Sequence, residues 1–124
     1  IPFKDNTFDV VICNHVLEHV DDAQKVMKEF HRVMNVGGWG IFQVPIDKSN
    51  KNTIEDKSII DPKERERIYW QDDHVRLFGL DYGDKLTAAG FKVTESDFIN
   101  SLDPNLVKRY ALPEGEIIYF CEKL

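Results

Sequence analysis

The sequence has few of the features that define several large classes of protein. It contains two cysteines in 124 residues, and both Cys13 and Cys121 fall within apolar, strand-like runs. This predicts small buried thiols in a reducing, cytoplasmic compartment rather than a disulfide framework. The formal net charge is -6, so a nucleic acid is not an expected partner, because its phosphates favour basic surfaces. No apolar run approaches the roughly 20 residues that cross a bilayer, so a membrane is not an expected partner either.

What the sequence does have is enough apolar material for one domain. Hydrophobic residues make up 42% and charged residues 31% of the chain, which predicts a single core and argues against disorder. The chain opens at Ile1 rather than at a methionine, and its first residues lead directly into a strand-like run. We therefore expect it to be part of a longer protein.

The first half of the chain has the pattern of a strand, a helix and a second strand. Residues 8–13, FDVVIC, form an apolar run typical of a strand covered on both faces. From Ala23 to Met34 the apolar residues repeat at three and four positions, which predicts an amphipathic helix. Residues 39–44, WGIFQV, predict the next strand. This order predicts a right-handed βαβ crossover in an α/β sheet.

The second half begins with a charged stretch and then returns to regular structure. Residues 46–75 carry charges of both signs with little periodicity, and we interpret them as a lid or substrate-side insertion with one short helix starting near Asp61. A helix is expected over residues 81–90, and strands over 91–96 and 116–122. No helical pattern separates the last two strands, so we expect them to pair antiparallel.

A resemblance to a known family is carried by IPFKDNTFDVVICNHVLEHVDD, then NVGGWGIFQVP, then DHVRLFGLDYGDKLTAAGFKV. Together these stretches resemble the second half of a class I S-adenosylmethionine-dependent methyltransferase of the small-molecule, type 11-like kind. The resemblance implies an α/β fold with a partial Rossmann-like sheet, made of the family's strands four to seven with the last one antiparallel, and flanking helices. Residues 1–124 would then be the C-terminal portion of the domain.

The resemblance also implies an activity, which is methyl transfer from S-adenosyl-L-methionine to a small-molecule substrate. A noncatalytic interaction domain of the same fold is the alternative. The family's glycine-rich cofactor loop is absent, since the sequence contains no G-x-G-x-x-G, so we expect the chain alone to bind cofactor poorly and to be inactive. Without the family's first strand, residues 8–13 would form an open edge. We expect a homodimer there, or pairing with a preceding N-terminal segment.

The family's cofactor contacts map onto five residues of this chain. Cys13, Asn14 and His15 would border the methionine end of the cofactor, because ligands of such sheets bind at the carboxyl ends of strands. Pro2 and Phe3 would pass near the adenine. The alternatives are a simple turn for Asn14 and a staple at the strand start for Pro2 and Phe3.

Three histidines are candidate catalytic bases for an acceptor that must lose a proton: His15, His19 and His74. His74 lies close to Arg76 in DDHVRLFG. The alternative for these two side chains is a surface ion pair with the neighbouring aspartates.

The spacing H-x-x-E-H, formed by His15, Glu18 and His19, is also that of a group of zinc peptidases. Such a site needs a long helix and a third ligand. His31 and His74 are possible third ligands, but neither sits in a recognisable motif. A strand end and a helix start also leave little room for a long helix, so we disfavour a hydrolase. Some O-methyltransferases of this fold look like E-x-x-E-H at this place and bind a divalent ion. A His15–Glu18–His19 metal set therefore stays open, although we favour hydrogen bonds from Glu18 and His19 that support the turn, without a metal.

Overall fold

The computed structural model describes residues 1–124, and its secondary structure follows the predicted order closely. Asp22 caps the first helix by accepting a hydrogen bond from the backbone N–H of Lys25 at 2.9 Å, as its side chain predicts. The elements in chain order are β1 (Phe8–Asn14), α1 (Ala23–Val33), β2 (Met34–Gln43), α2 (Pro62–Tyr69), α3 (Tyr82–Ala88), β3 (Lys92–Ser96), a 3₁₀ helix (Phe98–Ser101), α4 (Pro104–Arg109) and β4 (Ile118–Glu122).

The four strands form one sheet in the order β1-β2-β4-β3. β1 and β2 are parallel, as the crossover predicts, and the last strand, β4, lies antiparallel between β2 and β3. β1 stands at one edge of this sheet. The predicted fold class, a partial Rossmann-like α/β sheet with an antiparallel final strand, is confirmed.

The hydrophobic core lies between one face of the sheet and the helices α1 and α3. Phe42 of β2 is fully buried there, and its ring packs on Phe30 and Phe91 with centroids 5.1 and 5.2 Å apart. The hydroxyl of Tyr82, at the start of α3, donates to the backbone oxygen of Phe42 at 3.2 Å. Packing and one buried hydrogen bond therefore tie α3 to the middle of β2.

The opposite face of the sheet is apolar and partly exposed. Side chains alternate between the faces of a strand, so Val10 and Ile12 point away from the core, and their exposed fractions are 41% and 62%. Trp39 of β2 lies on this face and stacks on Phe120 of β4 with centroids 5.5 Å apart. No helix of the structure has the length and apolar character that crossing a bilayer requires.

The charged stretch 46–75 is folded against the rest of the chain. Ile46 forms a parallel bridge with Phe78, and Ile54 forms an antiparallel bridge with Leu77. The helix predicted near Asp61 is confirmed, with Asp61 capping α2 through the N–H of Glu64. Whether this segment acts as a lid stays a prediction.

Two details of the predicted elements are wrong. The segment between β3 and β4, expected to lack helices, contains the 3₁₀ helix and α4. Asp103 caps α4 by accepting from the N–H of Asn105 at 2.7 Å, with Pro104 at the first helical position. β2 begins at Met34 rather than at Trp39, and a register shift against β1 accommodates the extra residues.

Candidate functional site

The parallel strands β1 and β2 end at the same edge of the sheet, where their last residues, Asn14 and Gln43, lie opposite each other. The backbone N–H of His15 donates to the oxygen of Gln43 at 2.9 Å. His15 then has a positive φ of 54°, which turns the chain away from the sheet and leaves both Asn14 and His15 exposed. This is the place where wound α/β sheets bind their ligands.

A cavity of about 260 Å³ opens beside His15 at this edge. The side chain of Gln43 is fixed in its wall, because its amide nitrogen donates to the oxygen of Ile117 at 3.0 Å and its oxygen accepts from the N–H of Tyr119 at 2.8 Å. Burial and the nearby Glu95 carboxylate raise the pKa of Tyr119 to about 12, so its phenol is neutral. Other lining residues include Ile46, Leu80, Glu95 and Glu116.

Cys13 contributes no charge to this edge. Its side chain points to the core, and burial followed by the Glu18 carboxylate raises its pKa to about 11. Both cysteines are free thiols, as predicted, with Cys13 half-buried and Cys121 buried. A thiol with this pKa is not an activated nucleophile at neutral pH.

The structure does not bring all five predicted cofactor residues together. Cys13, Asn14 and His15 are contiguous at the carboxyl end of β1. Phe3 packs its ring edge-on against Phe8 at the opposite end, with centroids 4.9 Å apart. Since a strand rises about 3.3 Å per residue, roughly 20 Å separates the two ends of β1. The packing of Phe3 agrees with a staple at the strand start.

The turn after β1 is held by a buried arginine that directly follows the 46–75 stretch. The guanidinium of Arg76, 1% exposed, donates to the backbone oxygens of Leu17 and Val20 at 2.5 Å each, and to that of Asp21 at 3.0 Å. It also donates to the carboxylate of Glu55 at 2.9 Å. Arg76 therefore fixes the position of Glu18 and His19.

His74 is buried as well, with 1% of its surface exposed, and its Nδ1 lies 2.9 Å from the backbone oxygen of Tyr69. A surface ion pair for His74 and Arg76 is thus wrong, because both side chains point inward. Of the neighbouring aspartates, Asp73 pairs instead with His19, whose Nδ1 lies 3.3 Å from it.

The H-x-x-E-H residues lie on a turn, not on a helix, so the helical scaffold of a zinc peptidase is absent. Glu18 is 2% exposed, and its Oε1 lies 3.3 Å from Nδ1 of His15 and 3.9 Å from Nε2 of His19. The rings of His19 and His74 contact edge to face, with centroids 4.7 Å apart. The sequence offered His74 only as one possible third ligand beside His31, and no spacing in the sequence distinguishes the two.

In the sheet, the antiparallel last strand β4 lies next to β2, the second strand of the βαβ crossover. This sheet order defines the fold of class I methyltransferases. The sequence comparisons agree with it, since the profile of a family described as "Methyltransferase domain" matches residues 1–42. The predicted resemblance to class I S-adenosylmethionine-dependent methyltransferases is therefore confirmed.

Two curated relatives match over most of this chain. An uncharacterized protein of Methanocaldococcus jannaschii is 32% identical over 108 residues, which is 87% of this chain and 40% of that protein. A sterol 24-C-methyltransferase of Gibberella zeae is 26% identical over 122 residues, covering 96% of this chain and 31% of the relative. The chain thus spans less than half the length of these relatives.

Two solved structures illustrate the shared fold. The cyclase SpnF has a TM-score of 0.63 at 15% identity, covering 99% of this chain and 53% of that one. An N-methyltransferase of Haemonchus contortus, in complex with phosphomonomethylethanolamine and S-adenosylhomocysteine, has a TM-score of 0.55 at 15% identity, covering 98% of this chain and 35% of that one. At these identities the likeness shows the fold alone.

Proposed function

We propose that this chain is the C-terminal portion of a methyltransferase that transfers a methyl group from S-adenosyl-L-methionine to a small-molecule acceptor. The observation that carries the proposal is the shared edge of β1 and β2, where Asn14 and His15 are exposed and His15 lines the cavity at the end of β2. The matching family profile and the methyltransferase relatives support the same activity.

The residues at this edge fit one wall of a cofactor site. Asn14 offers an exposed amide, and Cys13 offers a neutral surface that does not repel a carboxylate. The cofactor, when bound, supplies a methyl group already activated on a sulfonium, so positioning can account for much of the acceleration. The glycine-rich loop that would hold its other parts is absent from this sequence and would come from a further segment.

The acceptor would occupy the cavity beside His15. Its walls combine apolar side chains, among them Leu80 and Ile117, with a larger number of polar and charged ones that include Lys48 and three glutamates, which suits a small polar molecule. Of the three candidate bases, His15 alone lines this cavity. His19 and His74 face Glu18, Asp73 and Tyr69 instead, so we assign the role of base to His15 where the acceptor must lose a proton.

The outer edge of β1 would pair with the segment that completes the cofactor site. β1 has a strand neighbour on one side only, and the apolar face carrying Val10 and Ile12 adjoins the open edge. Such an edge favours pairing with another strand, from a preceding segment or from a second copy of the chain. Light scattering on this chain should show a dimer, and a monomer that stays soluble at high concentration would contradict pairing between copies.

Calorimetric titration with S-adenosylhomocysteine tests the proposal most directly. We expect binding by a longer form that includes the preceding segment, and much weaker binding by residues 1–124. Asn14→Ala in the longer form should weaken binding, whereas Asn105→Ala, on the exposed helix α4, should not. If neither form binds, the chain is a noncatalytic interaction domain of this fold.

A further inference from the structure

A cluster of three side chains outside the proposed cofactor and acceptor sites has the composition of a metal site. Glu18, His19 and His74 each offer one ligand atom, and these atoms all lie within 4.8 Å of one another. Glu18 and His74 are 2% and 1% exposed. The cluster joins the turn after β1 to the end of the 46–75 stretch, two regions that the sequence alone does not connect.

The polar atoms of this cluster lack hydrogen-bond partners. Both carboxylate oxygens of Glu18 and the Nε2 atom of His74 are buried without one. Imidazole nitrogens of His15 and His19 lie 3.3 and 3.9 Å from Oε1 of Glu18, without hydrogen-bond geometry. Burying an unpaired carboxylate is costly, and buried polar groups in native proteins are nearly always satisfied. The cluster therefore points to a cation as its missing partner.

The second nitrogen of His74 is anchored in the way that metal-binding histidines require. The oxygen of Tyr69 can only accept, so Nδ1 of His74, 2.9 Å away, carries the proton. In the neutral ring this leaves the lone pair on Nε2, inside the cluster. Nδ1 of His19 lies 3.3 Å from the carboxylate of Asp73, within ion-pair distance but without hydrogen-bond geometry, and its Nε2 lies 3.9 Å from Glu18. Carboxylates and backbone oxygens orient metal-ligating histidines in this manner.

We propose that Glu18, His19 and His74 bind a divalent transition-metal ion, with Zn²⁺ as the best fit. Two imidazoles and one carboxylate are a donor set that Zn²⁺ accepts, at about 2.0–2.2 Å from the ion. Tetrahedral ligands at those distances lie about 3.4 Å apart, so binding of the ion would draw together ligand atoms that now lie within 4.8 Å of one another. This set differs from the His15–Glu18–His19 set suggested by the spacing, because His74 replaces His15.

The ion would act as a structural link, tying the turn at residues 17–21 to residues 73–76. Mg²⁺ is not an expected occupant, because it prefers oxygen ligands in octahedral geometry. The rival explanation is a proton, which would make His74 a cation beside Glu18. The proposal does not depend on methyl transfer, so it can fail or succeed independently of that function.

Metal titration of the metal-free chain separates the two explanations. We expect one equivalent of Co²⁺ to bind, with the visible absorption of a four-coordinate ion, and Zn²⁺ to displace it, whereas Mg²⁺ should do neither. Zn²⁺ at a hundredfold excess over its dissociation constant should raise the melting temperature by roughly 10 °C. Failure of Co²⁺ and Zn²⁺ to bind below millimolar concentration would overturn the proposal in favour of the proton.

Four variants test the ligand assignment. His19→Gln and Glu18→Gln should abolish the Co²⁺ spectrum, and Asp73→Asn should weaken binding about 10- to 100-fold, as loss of an orienting group does. His31→Gln, which removes a histidine outside the cluster, should leave the titration unchanged. Equal losses in the His31 and His19 variants, with circular dichroism showing both folded, would refute the assignment. His19 is partly exposed, so its variant is expected to fold.

Discussion

Replacing Arg76 by methionine should destabilise the folded chain strongly, because Arg76 makes several buried hydrogen bonds within the chain. Methionine keeps much of the buried volume but donates no hydrogen bonds. Arg76→Met would leave the backbone oxygens of Leu17, Val20 and Asp21 without their donor. These acceptors belong to the backbone, so a second mutation cannot remove them as it could remove an acidic side chain. The lost stability therefore cannot be restored in that way.

The size of the effect follows from the burial of each bond. The hydrogen bond to Leu17 is fully buried, whereas those to Val20 and Asp21 are partly buried, so water can replace the latter in part. Leaving a buried acceptor unsatisfied costs about 1–3 kcal/mol. Taking about 2 kcal/mol for Leu17 and about 1 for each of the others gives about 4 kcal/mol, within the roughly 3–5 found when a buried ionic group loses its partner.

Urea denaturation followed by circular dichroism measures this loss. With a slope of about 1.5 kcal/mol per molar urea, the midpoint should fall by roughly 2.7 M. Arg67→Met is the matched control, because Arg67 is 69% exposed and pairs with Glu64 on the surface, so its loss should stay within about 0.5 kcal/mol. A loss below about 1 kcal/mol for Arg76→Met would refute the inference that this residue holds the turn.

Three further perturbations probe other parts of the fold. Burial raises the pKa of Cys121 from 9.0 to about 12. The contribution of the neutral thiol to stability is therefore complete below about pH 9 and is lost as the pH rises towards 12. Urea melts across this range should show a decline in the free energy of unfolding, and Cys121→Val should reduce that decline. Burial opposes ionisation of Asp81, but hydrogen bonds from Thr53 and the neighbouring Lys85 ammonium together outweigh it and hold the pKa of Asp81 below its usual value. Its stabilisation should therefore be present above about pH 4 and disappear as the pH falls through the lowered pKa, and Asp81→Asn should remove this acid dependence in the same assay. Gly40→Ala would place a Cβ 2.6 Å from a backbone oxygen of β1, so we expect a loss of about 2 kcal/mol in urea; a neutral effect would contradict the close approach of β1 and β2.

Much of the fold was predictable because its signals are local. The apolar run of β1, the periodic stripe of α1 and the cap at Asp22 each act within a few residues. The helix α4 was missed although Asp103 and Pro104 repeat the signal that identified α2 at Asp61. Its six residues, of which none is buried, carry no apolar periodicity to support that start signal.

Only the part of the candidate site that lies at the end of a strand could be predicted from the sequence. Asn14 and His15 could be placed from the end of β1 alone. The burial of His74 and Arg76 could not, because the turn after β1 that they contact lies more than fifty residues earlier and their neighbours in the sequence are charged. Spacing selected His15 as the companion of Glu18 and His19, whereas tertiary packing brought His74 to them.

The position of β4 has a consequence for the order in which the chain folds during synthesis. β3 has no strand partner except β4, which lies more than twenty residues later in the chain. β2 likewise lacks a strand neighbour on one side until β4 has been synthesised. Until residues 118–122 emerge, the nascent chain therefore exposes an unpaired strand and an apolar edge, both of which favour aggregation. Truncations before Ile118 should accumulate as insoluble intermediates rather than as smaller folded domains.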